Sequence, residues 1–256
     1  MTLKVFITGA SSGIGEALAV YYAGRGATLG LVARRGDLLE ALNQRLGGRH
    51  ACYALDVTDA PALHVAAGDF IGRFGAPDIV IASAGVSAGT LTEFEEDLDV
   101  FRRVMDINVF GMAATFAPFI PAIKAAGGER RLVGIASVAG IRGLPGAEAY
   151  SASKAAVITY LESLRLEMRP YGIKVVSIAP GYIETPMTAV NPYKMPFLMP
   201  AAQAAERFAA AVERGSSYRV IPWQMGVVAK TLRLLPNWLY DLLFTSAPRK
   251  PRGLLK

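Results

Sequence analysis

The stretch Leu3-Lys4-Val5-Phe6-Ile7 followed by Thr8-Gly9-Ala10-Ser11-Ser12-Gly13-Ile14-Gly15 decides the fold of this chain. The first five residues form a short apolar run typical of a buried strand, and residues 16–24 have the apolar pattern of a helix. Glycines between a strand and a helix let the backbone approach a diphosphate, and the helix amino terminus offers free N–H groups and a favourable dipole. The stretch therefore predicts a nucleotide-binding turn, although an ordinary tight turn would use the same residue types.

A second motif, Tyr150-Ser151-Ala152-Ser153-Lys154, carries a phenol and an ammonium four residues apart. On a helix, residues at this spacing share one face. A phenol titrates near about pH 10, and a positive charge beside it favours the phenolate and lowers that pKa. The pair Tyr150 and Lys154 therefore predicts a general acid/base.

Taken together, the glycine stretch and the Tyr150 motif resemble the classical short-chain dehydrogenase/reductase family. The resemblance runs from about Lys4 to about Thr185, with the motifs in the family's order. It implies an oxidoreductase that transfers a hydride between a nicotinamide cofactor and a carbonyl or alcohol, and it names no substrate. A protein that kept the fold as an NADP-binding sensor or scaffold, without turnover, is the alternative.

Further apolar runs alternate with helical patterns along the chain, which indicates a parallel sheet covered on both faces. We expect an α/β fold, a single Rossmann-like doubly wound domain with about seven strands. Residues 1–222 would form the NADP-binding catalytic domain, and residues 223–256 an apolar helical and basic extension. The strands after the first are predicted at Thr28–Ala33, Ala51–Leu55, Asp78–Ala82, Arg131–Ala136, Ile173–Ala179 and Tyr218–Ile221.

The resemblance implies four catalytic residues. Ser137, at the end of the fifth strand, would orient and polarise the carbonyl, and Tyr150 would supply or remove the proton. Lys154 would lower the phenol pKa and hold the nicotinamide ribose, and Asn108 would hold a water in a proton relay. A solvated loop serine and an asparagine satisfied by its own helix backbone are the alternatives for Ser137 and Asn108.

Arg34 and Arg35 follow the second strand, where an acidic residue would hold the ribose 2′-hydroxyl of NAD. Two guanidinium groups would instead attract a 2′-phosphate. The sequence therefore predicts NADP(H), unless the arginines are simply a solvated pair at a strand end.

Other cofactor contacts are implied by the resemblance alone. Asp56 would contact the adenine, or else cap the following helix, while Ile183 through its backbone and Thr185 through its hydroxyl would contact the carboxamide. Ser83 departs from the family's asparagine and has a shorter reach and fewer hydrogen-bonding groups. The full predicted set is Gly9, Ser11, Ser12, Gly13, Ile14, Gly15, Arg34, Arg35, Asp56, Val57, Ala84, Gly85, Tyr150, Lys154, Pro180, Gly181, Ile183 and Thr185.

Composition limits the alternatives. The 256 residues are 52% apolar, which supports a large core and argues against disorder. The single cysteine, Cys52, allows no intrachain disulfide, and no secretory leader precedes the first strand. The uncharged run Ile107–Ile123 contains two prolines and falls short of the roughly 20 residues that span a bilayer, so a buried helix is predicted. His50 and His64 show no metal-ligand pattern. We expect a cytoplasmic protein that binds no nucleic acid.

The carboxyl-terminal region combines apolar and basic residues. From Lys230 onward there are six basic residues against Asp241 alone, out of a net charge of +6 for the chain. Trp223–Leu235 predicts a helix that Pro236 breaks. This region could rest on an anionic membrane, close the substrate pocket or lie between subunits. The family resemblance implies a homodimer or homotetramer. The Met- and aromatic-rich residues 186–200 predict an apolar substrate pocket, or ordinary core packing.

Overall fold

A seven-stranded parallel sheet forms the centre of the protein, whose computed structural model describes residues 2–254. The strand order is β3-β2-β1-β4-β5-β6-β7, and every neighbouring pair is parallel. The predicted α/β class and strand number are confirmed, with boundaries within about one residue of those expected. The strands are β1 (Lys4–Thr8), β2 (Thr28–Ala33), β3 (Ala51–Ala54), β4 (Ile79–Ala82), β5 (Arg131–Ile135), β6 (Lys174–Pro180) and β7 (Tyr218–Ile221).

Helices connect the strands and cover both faces of the sheet. One segment, Asp106–Phe110, is π-helical and joins two α-helices without a break. The α-helices are α1 (Gly13–Gly24), α2 (Gly36–Arg45), α3 (Ala60–Phe74), α4 (Glu96–Met105), α5 (Gly111–Phe116), α6 (Ile120–Ala126), α7 (Glu148–Met168), α8 (Pro186–Ala189), α9 (Ala201–Glu213), α10 (Trp223–Leu234) and α11 (Asn237–Phe244).

Two hydrophobic cores lie on opposite faces of the sheet. Successive strand residues point to opposite faces, so Val5 and Ile7 belong to one core while Phe6 belongs to the other. The first core is completed by α1, α2 and α9, and the second by α3, α5 and α7. The near-continuous apolar strands of the sequence are explained by this two-sided burial.

The stretch Glu96–Ala126 is long and apolar enough to cross a membrane, judged by length and composition alone. In the structure Met112, Phe116 and Ile123 are buried in the second core, and α5 packs against β4 and α3. A core helix satisfies the same length criterion, and this packing fits the buried helix that the sequence predicts.

The strand order reverses at β1. The chain runs from β1 through β2 to β3 on one side, and returns to β4 on the other side of β1. In open α/β sheets the ligand crevice lies at such a switch point, beyond the carboxyl ends of the strands. The residues that follow β1 and β4 are therefore brought together at one edge.

The carboxyl-terminal extension packs on the rest of the protein through Arg142. Its guanidinium donates to the carbonyl oxygens of Leu232 and Leu235, both at 2.9 Å, and lies 4.0 Å from the centre of the Tyr240 ring. These contacts fix α10 and α11 beside the loop that follows β5.

Candidate active site

One cleft at the carboxyl ends of the strands collects the predicted site. Every residue of the predicted cofactor set lines it, and so do Ser137, Tyr150 and Lys154. Asn108 does not line the cleft but lies directly behind it, hydrogen-bonded to the lining residue Val86. The topology thus assembles residues from separate strand ends into one site.

The glycine loop after β1 is closely packed at the bottom of the cleft. Gly9 has φ +72°, and a Cβ there would lie 2.8 Å from the backbone of Ala84. A Cβ on Gly15 would overlap the carbonyl oxygen of Gly9, and one on Gly13 would lie 3.1 Å from Thr185 Cγ2. Side chains at Gly9 and Gly15 would collide with the backbone of the protein itself, so glycine is what allows the loop to pack this tightly between β1 and α1. These glycines line the cleft at the amino terminus of α1, where a diphosphate could bind.

The two arginines after β2 point in different directions. One nitrogen of the Arg35 guanidinium donates to both Ser11 Oγ and Ser12 Oγ, at 3.0 Å each. Arg34 instead lies 3.7 Å from the Asp56 carboxylate. Arg35 therefore forms a cationic, hydroxyl-rich pocket with the glycine loop, while Arg34 neutralises Asp56 beside it.

Asp56 has local partners as well. One of its oxygens accepts from the backbone N–H and the hydroxyl of Thr58, both at 3.0 Å. Asp59, not Asp56, caps α3 by accepting from the Ala62 N–H. The alternative that Asp56 caps the following helix is therefore wrong, because Asp59 has that role.

Ser137, Tyr150 and Lys154 meet where β5 ends against the first turns of α7. Tyr150 and Lys154 share one face of α7, as their spacing predicts, and the Lys154 ammonium lies 5.8 Å from the centre of the phenol ring. Lys154 is buried and donates to the Ile135 carbonyl at 2.8 Å. Ser137 Oγ accepts from the Ala139 N–H at 3.2 Å, and its side chain lies close enough to the phenol to influence the pKa of Tyr150.

The electrostatics of this group differ from the sequence argument. Burial raises the pKa of Tyr150, and the hydrogen bond from Ser137 opposes that increase. Burial also lowers the pKa of Lys154 to about 8, which weakens the charge that was expected to lower the phenol pKa. The expectation underestimated desolvation, which penalises both charged forms. A protonated phenol remains suited to donating a proton to a carbonyl oxygen that gains negative charge.

Asn108 connects three elements. It lies in the π-helical segment, is fully buried, and its amide oxygen accepts from the Val86 N–H at 2.8 Å. Its amide nitrogen donates to the Val86 carbonyl at 3.0 Å and to Ser153 Oγ at 2.9 Å. The alternative of an asparagine satisfied by its own helix is wrong. Asn108 fixes the loop after β4 against α7, and π-helical turns of this kind are frequent at functional sites.

The loop after β6 closes the other side of the cleft. The backbone N–H of Thr185 donates to the hydroxyl oxygen of Thr188 at 3.0 Å. The methyl group of Thr185 lies beside Gly13. Pro180, Gly181 and Ile183 precede it along the same wall. Within residues 2–254, no group of three His, Cys, Asp or Glu side chains has a metal-binding arrangement.

A family model described as short chain dehydrogenase matches residues 3–195. The chain belongs to the short-chain dehydrogenase/reductase family. The predicted family is therefore confirmed, and with it an oxidoreductase acting on alcohol or carbonyl groups with a nicotinamide cofactor.

Similar proteins differ in the cofactor that is named for them. An uncharacterized oxidoreductase of Myxococcus xanthus is 39% identical, over 92% of this chain and 93% of its own. A 2-dehydro-3-deoxy-L-rhamnonate dehydrogenase (NAD(+)) of a Sphingomonas species is 37% identical, over 71% and 72% respectively. A Burkholderia cenocepacia short chain dehydrogenase solved in complex with NADP superposes with a TM-score of 0.80 at 26% identity, covering 94% and 97% of the two chains.

Some residues of this dehydrogenase/reductase site were missed from the sequence. Val86 lines the cleft, and the Lys250 ammonium bridges Ser87 and the Met187 carbonyl at its edge. Val86 and Ser87 directly follow the recognised Gly85, so their position was available. Met187 also lines the cleft and was not missed, since it lies within residues 186–200, which were expected to form the substrate pocket. Nothing in the sequence placed Lys250, because its approach depends on the path of the last helices.

Proposed function

We propose that this protein is an NADP(H)-dependent enzyme that transfers a hydride between the nicotinamide and a carbonyl or alcohol on a largely apolar small molecule. The observation that supports the choice of NADP(H) most strongly is the pocket formed by Arg35 with Ser11 and Ser12. A guanidinium with two adjacent hydroxyls matches the geometry and charge of a phosphate monoester. Related proteins include one named for NAD(+) and one solved with NADP, so the proposed preference rests on this chain's own residues.

The roles proposed for the catalytic residues follow from their contacts. When bound, the nicotinamide would supply or accept the hydride. The Ser137 side chain lies beside the Tyr150 phenol, so a substrate oxygen between them could accept from both. The phenol proton would pass to that oxygen during reduction. Lys154, held by the Ile135 carbonyl, would place a positive charge beside the phenol and hold the cofactor ribose. Asn108 would position this group and relay protons through water.

A non-catalytic NADP-binding sensor is the competing function. It requires the same glycine loop and arginine pocket, but it gives no reason for Ser137, Tyr150 and Lys154 to meet in the cleft. Oxidation of NADPH against a panel of carbonyls, from small ketones to long-chain and sterol carbonyls, distinguishes the two. Turnover of any of them supports the enzyme. Tight NADPH binding with no turnover of the whole panel would favour the sensor.

We also propose a cytoplasmic protein that attaches to anionic membranes through α10 and α11. Six large apolar side chains of these helices are each more than half exposed, and we call them the apolar face. Lys250 and Arg252, two basic residues of the tail, hydrogen-bond to other residues of the chain. The basic residues on α10 itself are Lys230 and Arg233. The alternative is that the apolar face forms the subunit interface of a homodimer or homotetramer. The apolar face consists of Trp223, Val227, Leu234, Trp238, Leu242 and Leu243.

A further inference from the structure

A short segment near the carboxyl terminus, Arg249–Arg252, crosses the edge of the cleft, and we call it the strap. Its Pro251 carbonyl accepts from the Gly89 N–H at 3.0 Å. The backbone of Lys250 passes so close to Gly89 that a Cβ there would overlap the Lys250 carbonyl oxygen. Arg249 packs on Gly146, where a Cβ would lie 2.8 Å from the arginine side chain. The strap therefore touches the loop after β4 and the loop that leads into α7.

Arg252 anchors the strap to α4. Its guanidinium donates to Asp97 at 2.7 Å and to Glu96 at 2.9 Å, and it lies 3.6 Å from the centre of the Phe94 ring. Asp97 is buried and also accepts from the Leu91 N–H. This anchor fixes the backbone two residues before it, and so fixes where the Lys250 side chain starts.

The Lys250 side chain reaches across the edge of the cleft. It is 9% exposed, and its ammonium donates to Ser87 Oγ at 3.1 Å and to the Met187 carbonyl at 3.2 Å. Ser87 follows Val86, which lines one wall of the cleft, and Met187 lines the wall formed by the loop after β6, while Ser87 and Lys250 lie just outside the lining. The ammonium therefore joins these two walls at the rim of the cleft.

The charge of Lys250 is not balanced within the described chain. Among residues 2–254 its hydrogen-bond partners are a hydroxyl and a carbonyl, and no carboxylate pairs with it. Its neighbour Arg252, in contrast, is paired with two carboxylates. A buried ammonium without a counter-ion is costly, and burial lowers the pKa of Lys250 to about 8. An ammonium has three donors, and two are used here.

We propose that Lys250 is a specificity-determining residue that binds a carboxylate on the substrate of this enzyme. The substrate would then be a carbonyl or alcohol compound with an apolar body and one anionic end, whose charge replaces the missing counter-ion. This inference rests on the proposed function and narrows its substrate class. The competing explanation is that Lys250 only fastens the strap to the two walls.

Binding of matched carboxylates and amides separates these explanations without requiring turnover. Hexanoate with hexanamide, and benzoate with benzamide, would be titrated calorimetrically into the full-length protein, with and without saturating NADP⁺. We expect each carboxylate to bind the native protein at least about tenfold more tightly than its amide, as a close charge pair contributes. Lys250→Gln, which keeps a donor to Ser87 or Met187, should remove that preference, and Lys250→Arg should retain part of it.

Lys230→Gln is the matched control, because it removes the same charge from an exposed position on α10. It should leave the preference for carboxylates unchanged. Equal binding of carboxylate and amide by the native protein would overturn the proposal whether or not the variants fold, and so would a preference that survives in Lys250→Gln. Should Lys250→Gln unfold, Lys250→Met is the second variant. Reduction of neutral ketones by NADPH, measured separately with the native protein and with Lys230→Gln, reports on the proposed function and is expected to be the same in both.

Discussion

The Lys154 ammonium donates a 2.8 Å hydrogen bond to the carbonyl oxygen of Ile135. Ile135 is the last residue of β5, and Ser137 follows two residues later. One strand end therefore positions both the lysine from α7 and the serine beside Tyr150. The hydrogen bond to the central sheet fixes the ammonium at the end of the long Lys154 side chain.

Tyr150→Phe tests the general acid. The change removes the phenol oxygen and keeps the buried ring, so we expect kcat to fall by about two to four powers of ten. NADPH affinity should stay nearly native. Steady-state kinetics on any accepted carbonyl and a fluorescence titration with NADPH measure the two effects. Tyr160→Phe removes a phenol oxygen further along α7 and should leave kcat nearly unchanged. Near-native turnover in Tyr150→Phe would contradict the assigned mechanism.

Arg35→Ala and Arg34→Ala test the choice of cofactor separately. Native protein should bind NADPH more tightly than NADH. Because Arg35 joins Ser11 and Ser12, whereas Arg34 lies against Asp56, Arg35→Ala should weaken NADPH binding by roughly 10- to 100-fold, the value of a charged hydrogen bond. NADH binding should change little.

Arg34→Ala is expected to have the smaller effect, and the double variant should lose most of the preference for NADPH. Arg45→Ala, which removes an exposed guanidinium paired with Glu16 on α1, is the control. Equal affinity of the native protein for the two cofactors would show that the arginines do not select a 2′-phosphate.

The stability of the protein should rise with pH above about 8 because of Lys250. Its folded-state pKa of about 8 lies below the unfolded value of about 10.4, so the unfolded chain binds more protons between these values. From about pH 7.5 to about pH 9.5, this group should add about 1 to 2 kcal/mol to the free energy of unfolding. Urea denaturation of the cofactor-free protein at both pH values measures it.

Lys250→Met should show a correspondingly smaller rise over the same pH interval. Lys230→Met, at an exposed position, should behave as the native protein does. The same rise in Lys250→Met as in the native protein would mean that burial does not destabilise the charged form of Lys250.

Co-sedimentation with vesicles tests whether the apolar face on α10 and α11 attaches to membranes. The protein should co-sediment with phosphatidylserine vesicles at low salt, less with neutral vesicles, and less again when salt screens the charges. Replacing Trp238 and Leu242, both about 70% exposed, with serine should reduce sedimentation. A protein that stays in the supernatant at low salt would contradict membrane attachment. The alternative, that these helices form a subunit interface, would then be tested by sedimentation velocity of the same double variant.

Local patterns predicted most of the fold and the positions of the cofactor residues. The apolar runs of β1, β2 and β4 are buried on both faces, so their sequences carried a direct signal. The glycine loop and the Tyr150 motif are contiguous, and their geometry is set within one turn and one helix. The cleft lining includes every residue expected to contact the cofactor, because strand ends converge by topology.

What the sequence did not predict depends on burial and on distant contacts. The pKa of Tyr150 is governed by desolvation, which spacing on a helix cannot reveal. The partners of Asn108 come from the loop after β4 and from α7, 22 and 45 residues away along the chain. The sequence also did not predict that Arg34 and Arg35 have different partners. Two adjacent arginines look the same in a sequence, whereas their side chains point in different directions in the structure.

The strap has a consequence for how this protein is related to others. The family model ends at residue 195, whereas the ammonium at the edge of the cleft belongs to residue 250. Two chains that agree through the matched region and differ in their last ten residues would share the hydride chemistry and accept different molecules. Substrate choice could thus change by exchange of a terminal peptide, with the catalytic group untouched.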